Sequence, residues 1–290
     1  MKQYKKLVIP YIGWLLLFTL LPMLMIALYA FTDGTGEGGA MMFSFTLSNF
    51  TKFFDPVFVK VLFKSFVLGV ITTVICLALG YPVAYLISKC KERTQTLLIL
   101  LITIPTWINM LIRTYAWISI LGSNGIINNM LSAVGLPPAT LLYTDFAVVL
   151  GMVYNFLPFM ILPIHTALTK MDPSLNEAAM DLGATPLQTF WKVTFRLSLS
   201  GVLTGITMVF LPSISTFMIP KLLGGGQYAL IGNFIEQQFI QIGDWSFGSA
   251  VSMILAVIVI LMMAGVSKIE KYTGQDQEET HSDKKSKILN

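Results

Sequence analysis

The sequence predicts an all-α polytopic membrane protein with six transmembrane helices. Hydrophobic residues make up 55% of the 290-residue chain and charged residues only 12%, whereas about a quarter of the residues in a soluble domain are charged. Six apolar runs are long enough to cross a hydrocarbon layer of roughly 30 Å. None of them contains Asp or Glu: Leu7–Phe31, Ser65–Ser88, Leu97–Leu121, Phe146–Leu168, Leu197–Pro220 and Phe247–Val266.

We expect the chain to consist of three regions. The first is a transmembrane helix with an external segment (1–64). The apolar run in it is too long for a signal peptide, and no small-x-small site follows. The second is a transmembrane core (65–268), and the third is a polar cytoplasmic tail (269–290), which we expect to be disordered from Gln275 onward. Aromatic spacing predicts an interfacial helix within 47–62, and apolar spacing predicts an amphipathic helix over 230–242.

The distribution of basic residues predicts the orientation in the membrane. Six spans place both termini on one side, and 14 of the 19 Lys and Arg residues fall on that side. The opposite side carries four: Lys52, Lys60, Lys64 and Lys221. Since basic residues concentrate in cytoplasmic loops, both termini are expected to be cytoplasmic, as is the loop between spans four and five.

That loop, residues 170–196, carries the most specific local signals and is called the capped loop below. Asp172 is a candidate cap for a first short helix, followed by Pro173 at a position where a missing N–H costs nothing. Gly183 is placed to end this helix in a left-handed turn. Thr185 and Gln188 then form a capping-box pattern that starts a second helix. Two capped helices predict a rigid docking surface rather than a flexible tether.

The chemistry of an enzyme is not visible in the sequence. Of the histidines, His165 lies in span four and His281 in the polar tail, and no intramembrane carboxylate accompanies His165. Gly224 to Gly226 are followed by Gln227, so there is no phosphate-binding lysine of a P-loop. We therefore expect no catalytic residue, no metal site, no cofactor and no ATPase site of its own. Cys76 and Cys90 are interpreted as small core residues.

Polar and aromatic side chains inside spans three and four are the candidate solute contacts. Trp107 and Asn109 lie in span three, and Tyr154 and Asn155 lie in span four. Amide groups are poorly placed against lipid, so these residues either join helices or line a solute pathway. Both interpretations are open at this point.

Arg113 is the charged residue within a predicted span. It follows the start of span three by about 16 residues, hence roughly 24 Å at helical rise, which places it near the outer surface. A snorkelling anchor and a substrate contact are both open. If its side chain is buried, the acidic candidates for a partner on the outer side are Asp145, Glu236 and Asp244.

The capped loop resembles the EAA motif of ABC-importer permeases. The motif is carried by Glu177, Ala178 and Ala179, with Gly183 four residues further on. Nine residues later the family pattern Ile-x-Leu-Pro is replaced here by Val193 to Arg196, with arginine in the place of proline. Further stretches are similar to the spermidine/putrescine permeases: 79–84, 107–115, 222–225 and 231–233.

This resemblance implies a fold, a function and a set of partners. The fold would be that of a type I ABC-importer permease, with 65–268 as its core. The chain would pair with a second, different permease to form the pore, beneath which separate ATP-binding subunits bind the capped loops. An extracytoplasmic binding protein would deliver the polyamine, and the location would be the inner or plasma membrane of a bacterium. The residues implied in ATPase coupling are Glu177, Ala178, Ala179, Asp181 and Gly183.

Two other functions compete with polyamine import. The first is an ABC permease of the same architecture for another small solute, which only the family resemblance separates from a polyamine permease. The second is an ion-coupled secondary transporter, but such carriers commonly place an ionisable residue or a broken-helix ion site at mid-membrane and often contain repeats. No carboxylate lies in these spans and no repeat is visible. An intramembrane enzyme or a scaffold is less well supported.

Overall fold

The computed structural model, which describes residues 10–32, 44–226 and 228–288, is built of helices joined by short loops. Within these residues the β structure is an isolated bridge between Thr32 and Phe45. The helices, numbered in chain order, are α1 (Pro10–Ala30), α2 (Pro56–Ser88), α3 (Glu92–Trp107), α4 (Met110–Leu121), α5 (Ile126–Ala133), α6 (Asp145–Thr169), α7 (Ser174–Asp181), α8 (Pro186–Leu197), α9 (Leu199–Ser215), α10 (Met218–Leu223), α11 (Ile231–Gln237) and α12 (Trp245–Ile288).

The helices confirm the all-α membrane fold. Four of them are long and apolar enough to cross a bilayer: α1, α2, α6 and the Trp245–Val266 part of α12. Two bent pairs raise the number to six if each pair counts as one span. The helices α6 and α12 begin within two residues of the predicted starts of spans four and six.

Span three is not the continuous helix that the sequence predicted. It is broken after α3, and the following segment Met110–Ala133, which contains α4 and α5, is bent by 91° relative to α3. Pro105 removes one backbone donor in the last turn of α3, and Ile108 then adopts an extended conformation. Asn109 caps α4 because its side chain accepts a hydrogen bond from the N–H of Leu111 (2.8 Å). Asn109 is therefore a turn residue at the break and does not lie within a helix.

Span five also differs from the prediction. The helix α9 ends at Ser215 and the chain resumes helix at Met218, so the predicted run to Pro220 is interrupted. At its other end, α8 and α9 meet at 61° across Ser198. The bend forms although arginine replaces the family's proline at position 196, since Ser198 itself leaves helical geometry with ψ near 0°.

Three predicted boundaries were wrong in position or type. The helix predicted within 47–62 is divided at Asp55: a four-residue α-helix (Ser48–Thr51) and a 3₁₀ turn (Lys52–Phe54) precede it, and α2 begins after it at Pro56. Pro56 suits the first helical position, so α2 starts well before Ser65. The last helix continues to Ile288 instead of ending before Gln275, because the tail is rich in the helix formers Glu, Gln and Lys.

The described residues fall into two compact units. The first combines the chain up to Phe63 with Ile231–Leu261, and the second combines Lys64–Leu230 with Met262–Asn290. In the first unit the buried amide of Asn49 donates to the carbonyl oxygens of Ala30 (3.3 Å) and Thr32 (3.0 Å). The amphipathic helix predicted over 230–242 is present as α11 and a following π-helical turn. The predicted regions 1–64, 65–268 and 269–290 stay a prediction.

The core of the second unit forms around α6. Side chains at the middle of this helix are fully buried, among them Met152, Met160 and Ile164. The helix α9 approaches α6 closely because it presents Gly201 and Gly205: a Cβ on Gly201 would lie 2.6 Å from the carbonyl oxygen of Pro163. Small residues at such positions are how membrane helices gain contact area. The core therefore fixes the ends of α6 and α9, between which the capped loop lies.

Candidate functional site

The first half of the capped loop is α7, which ends in a glycine turn. Asp172 lies just before α7, whose N-cap position is Pro173, and its Oδ1 accepts a hydrogen bond from the N–H of Ser174, the first residue of the helix (3.0 Å). Gly183 has φ +87°. Its N–H donates to the carbonyl oxygen of Met180 (2.9 Å), and the N–H of Ala184 donates to that of Ala179 (3.1 Å). The left-handed stop predicted from the sequence is thus confirmed, and it sets the angle between α7 and α8.

The second half of the capped loop starts with the predicted capping box. The N–H of Gln188 donates to the hydroxyl oxygen of Thr185 (3.4 Å), and the Gln188 side chain accepts from the N–H of Thr185 (3.0 Å). Pro186 occupies the first helical position. A π-helical stretch, Phe190–Thr194, follows within α8. Both helices of the loop therefore have their starts fixed by side chains, which makes the bend between them stiff.

The capped loop is bonded to itself and to the membrane helices. The Thr194 hydroxyl, which is buried, donates to the Asn176 side chain across the loop (3.1 Å). The hydroxyls of Tyr81 on α2 and Ser198 share a buried hydrogen bond (2.9 Å), and the ring of Phe190 packs edge-on against Tyr81. The end of α8 is thus joined to α2 through packed and hydrogen-bonded side chains.

The outer face of the capped loop is apolar and exposed. On α7, Leu175 and Ala179 are half-buried whereas Ala178 is exposed. Among the large apolar side chains of the loop, Leu182 has the greatest exposed fraction, 89%. We define the docking surface as the exposed apolar residues Met180, Leu182, Leu187 and Trp191.

Two carboxylates accompany the docking surface. Glu177 and Asp181 are both exposed on α7. Exposed apolar side chains rimmed by charges are typical of a protein-binding site. The structure thus places the predicted coupling residues on or beside a surface suited to another protein.

A polar cavity of about 420 Å³ lies behind the capped loop. His165, near the end of α6, hydrogen-bonds through Nε2 to the Gln95 Oε1 (3.3 Å). Gln95 in turn donates to the backbone carbonyl oxygens of Ser88 (3.2 Å) and Cys90 (2.8 Å). His165 is therefore hydrogen-bonded within the helix bundle. The cavity leaves room behind α7 for movement of the loop.

The candidate solute contacts separate into two groups. Trp107 and Asn109 are exposed at the break between α3 and α4. Tyr154 is on α6, where its ring contacts that of Trp117 edge-on (5.5 Å between centroids). Asn155 is buried, with its amide donating to the carbonyl oxygen of Gly151 (2.8 Å), and its Oδ1 has no partner among the described residues. Of the four residues, Tyr154 therefore belongs to a cluster of aromatic side chains, together with Trp117.

Arg113 completes that cluster. Its guanidinium lies over the ring of Tyr154, 5.8 Å from the centroid. Its Nε and Nη1 atoms are buried and lack a hydrogen-bond partner in the described part of the chain. Of the acidic candidates for a partner of Arg113, Asp145 pairs with Lys64 instead. Among the residues that the structure describes, the contact of the Arg113 guanidinium is thus a cation–π contact with Tyr154.

Lys64, Asp145 and Tyr228 form a cluster that sequence reasoning missed. The Lys64 ammonium lies 3.1 Å from Asp145 Oδ1 and 4.0 Å from the centroid of the Tyr228 ring. The Tyr228 hydroxyl donates to the same Oδ1. Burial and this hydrogen bond raise the pKa of Tyr228, which keeps the hydroxyl protonated as a donor. The residues are far apart in sequence, so no local pattern could have found them.

The fold and the capped loop together define an importer permease. The family model described as binding-protein-dependent transport system inner membrane component matches residues 76–270. The chain therefore belongs to this family. The match begins within α2 and includes the capped loop and most of the second unit.

Comparison with individual proteins shows which permeases the chain is similar to. The chain is 38% identical over 259 residues to the spermidine/putrescine transport system permease protein PotB of Escherichia coli (strain K12), covering 89% of this chain and 94% of the relative. The PotB protein of Haemophilus influenzae is 39% identical over 264 residues, covering 90% and 92%. The Escherichia coli inner membrane ABC transporter permease protein YdcU is 27% identical over 265 residues, with 87% and 83% covered.

Solved structures support the fold. A chain of a bacterial ABC transporter involved in the import of alginate superposes with a TM-score of 0.78 at 18% identity, covering 93% of this chain and 95% of that one. The alginate transporter in complex with an alginate pentasaccharide-bound periplasmic protein gives a TM-score of 0.77 at 18% identity, with 93% and 94% covered. At this identity the likeness concerns the fold alone.

Proposed function

We propose that the chain is a permease subunit of an ATP-driven importer of polyamines such as spermidine and putrescine. The single observation that carries the proposal is the rigid, exposed capped loop in a chain 38% identical to spermidine/putrescine permeases over 89% of its length. The loop supports the mechanism and the relatives support the substrate class. The chain itself hydrolyses no ATP in this account.

The capped loop is the proposed connection to separate ATP-binding subunits. Its docking surface offers apolar area to bury, and Glu177 and Asp181 offer charges that orient a partner. The stiffness of the bend at Gly183 allows a push on α7 to reach α8 without being absorbed. The buried contact between Tyr81 and Ser198 then carries the movement to α2 and α9.

The remaining partners and the orientation follow from this proposal. A second, different permease completes the pore, and an extracytoplasmic polyamine-binding protein delivers the substrate. The basic residues favour a cytoplasmic capped loop and cytoplasmic termini in the inner or plasma membrane of a bacterium. The relatives bear names of spermidine/putrescine transport systems, and the neighbouring alginate transporter is described with a bound periplasmic protein.

The proposed solute path uses aromatic and amide groups in place of carboxylates. Trp107, Asn109 and Tyr154 are at least partly exposed, and their rings and amide oxygens suit a flexible chain of ammonium groups. Asn155 is buried, so it acts by positioning α6 unless the helix rotates. The second permease supplies the other wall.

Substrate competition tests the substrate class. The complex, expressed in cells that lack their own polyamine uptake, is expected to accumulate labelled putrescine or spermidine. Unlabelled polyamines should compete, and amino acids, molybdate and oligosaccharides should not. Accumulation of one of the other solutes would leave the ABC permease architecture intact and replace the polyamine with that solute.

A further inference from the structure

The cluster of Lys64, Asp145 and Tyr228 has the chemistry of a binding site for an alkylammonium ion. The Lys64 ammonium lies between a carboxylate oxygen (3.1 Å) and the face of an aromatic ring (4.0 Å to its centroid). Carboxylates and aromatic faces are the two kinds of group that attract an organic ammonium ion. Here the occupant is a primary ammonium at the end of a butyl chain, which is supplied by the protein itself.

We propose that this cluster is an entry subsite for a terminal ammonium group of the substrate, and that Lys64 occupies it until the substrate arrives. This inference rests on the proposed function for the identity of the substrate as a polyamine. The aminobutyl end of putrescine or of spermidine matches the lysine side chain over its four methylene carbons and the nitrogen. The carboxylate of Asp145 and the ring of Tyr228, which hold the Lys64 ammonium, are therefore also suited to bind the terminal ammonium of the substrate.

The cluster is accessible and easily exchanged. The side chain of Lys64 is 43% exposed and that of Asp145 is 64% exposed. Exposed ion pairs are weak and screened by salt, so an arriving cation displaces the lysine at little cost. Both the lysine ammonium and the Tyr228 hydroxyl contact Oδ1 of Asp145, and Oδ2 takes part in neither contact.

The position of the cluster suits a point of entry. Asp145 begins α6, and the 25 residues of this helix separate it from the capped loop by roughly 37 Å at helical rise. The cluster is thus at the opposite end of α6 from the proposed ATPase contact. Tyr143 lies nearby in sequence with φ +63°, a left-handed conformation that a non-glycine residue rarely adopts, and its ring is exposed. Its backbone N–H donates to the carbonyl oxygen of Leu223 (2.9 Å), which ties the start of α6 to the end of α10.

A structural latch would have the same three residues but different behaviour. In a latch, Lys64 and Asp145 are needed equally, and loss of either one has the same effect. In a subsite, Lys64 competes with the substrate whereas Asp145 and Tyr228 bind it. Removal of the lysine therefore vacates the site, and removal of the carboxylate destroys it.

Protection of an introduced thiol distinguishes the two. The variant Lys64→Cys, with Cys90→Ser to remove the partly exposed native thiol, is assembled with its partner subunits in membrane vesicles and labelled with a neutral maleimide. We expect 1,4-diaminobutane to slow this labelling several-fold, while sodium chloride at equal ionic strength does not. Asp145→Asn in the same background should abolish the protection. Lys60→Cys, an exposed position one helical turn earlier on α2, is the matched control and should show no protection.

The outcomes separate this inference from the proposed function. Equal labelling with and without the diamine, or equal protection at position 60, would overturn the subsite even if the wild-type complex imports polyamines. Protection that survives Asp145→Asn would overturn it as well. Selective protection in a complex that imports no polyamine would support the cation subsite while the proposed substrate fails.

Discussion

Replacement of Gly183 by valine is the sharpest perturbation of the coupling proposed here. Gly183 has φ +87°, and nothing lies within 4 Å of the position that a Cβ would take. Valine therefore fits without a clash, and its cost lies in the backbone. The left-handed conformation costs a residue with a Cβ about 1–2 kcal/mol of free energy.

The expected size of the effect follows from that strain. An energy of 1–2 kcal/mol shifts the equilibrium between the observed bend and other loop conformations by roughly 5- to 30-fold. The bend is held by the two backbone hydrogen bonds that close the turn, from Gly183 (2.9 Å) and Ala184 (3.1 Å). We expect membrane insertion and ATP hydrolysis to continue while uptake per ATP falls by about that factor.

The assay measures substrate uptake and ATP hydrolysis by the same purified, reconstituted complex. Gly183→Asn is the conservative variant and should retain most uptake, since Asn tolerates left-handed geometry. Gly135→Val is the matched control, because Gly135 also has φ +79° and nothing within 4 Å of its Cβ position. Unchanged uptake per ATP in Gly183→Val, or an equal loss in Gly135→Val, would refute the role of the bend.

Three further predictions concern the docking surface and the core. A thiol introduced by Glu177→Cys should crosslink to the ATP-binding subunit in the complex, whereas one introduced by Ser132→Cys, exposed on α5, should not. Leu182→Ser should weaken binding of the ATP-binding subunit about 10-fold or more, since burying a leucine contributes roughly 1.5–3 kcal/mol; an unchanged Kd would exclude Leu182 from the interface. Gly201→Ala should lower the Tm of the purified permease, because the new Cβ lies 2.6 Å from a backbone oxygen, whereas Gly265→Ala, with open space, should not.

Local signals predicted the capped loop because its structure is determined by near neighbours. The Thr185–Gln188 capping box and the left-handed Gly183 each depend on residues within a few positions. The same holds for the start of α6, where the Thr144 hydroxyl accepts a hydrogen bond from the N–H of Ala147 (3.2 Å). Such features are visible in a single sequence because the partners lie in one turn of chain.

The break between α3 and α4 could not be read from hydropathy. An apolar run of sufficient length fits both a straight span and two helices at 91°, since hydropathy carries no direction. A signal was nevertheless present: Pro105 followed by Asn109 combines a helix-ending residue with a favoured cap. When Asn109 is interpreted as a polar residue within a helix, its role as the cap of α4 is not predicted.

Contacts between side chains that are far apart in the sequence could not be predicted from the sequence. The Tyr228–Asp145 hydrogen bond joins residues 83 positions apart, and the Tyr81–Ser198 bond joins residues 117 apart. Charge patterning placed Lys64 and Asp145 on the same side of the membrane but could not pair them. Only the packing of α2, α6 and the loop before α11 brings these side chains together.

The most direct test of the account is transport by the complex reconstituted into proteoliposomes. With the second permease, the ATP-binding subunits and the loaded binding protein, polyamine uptake should require ATP and should stop when the ATP-binding subunits are omitted. A proton or sodium gradient alone should drive none. Uptake driven by such a gradient in the absence of nucleotide would contradict the claim that the capped loop is moved by a separate ATPase.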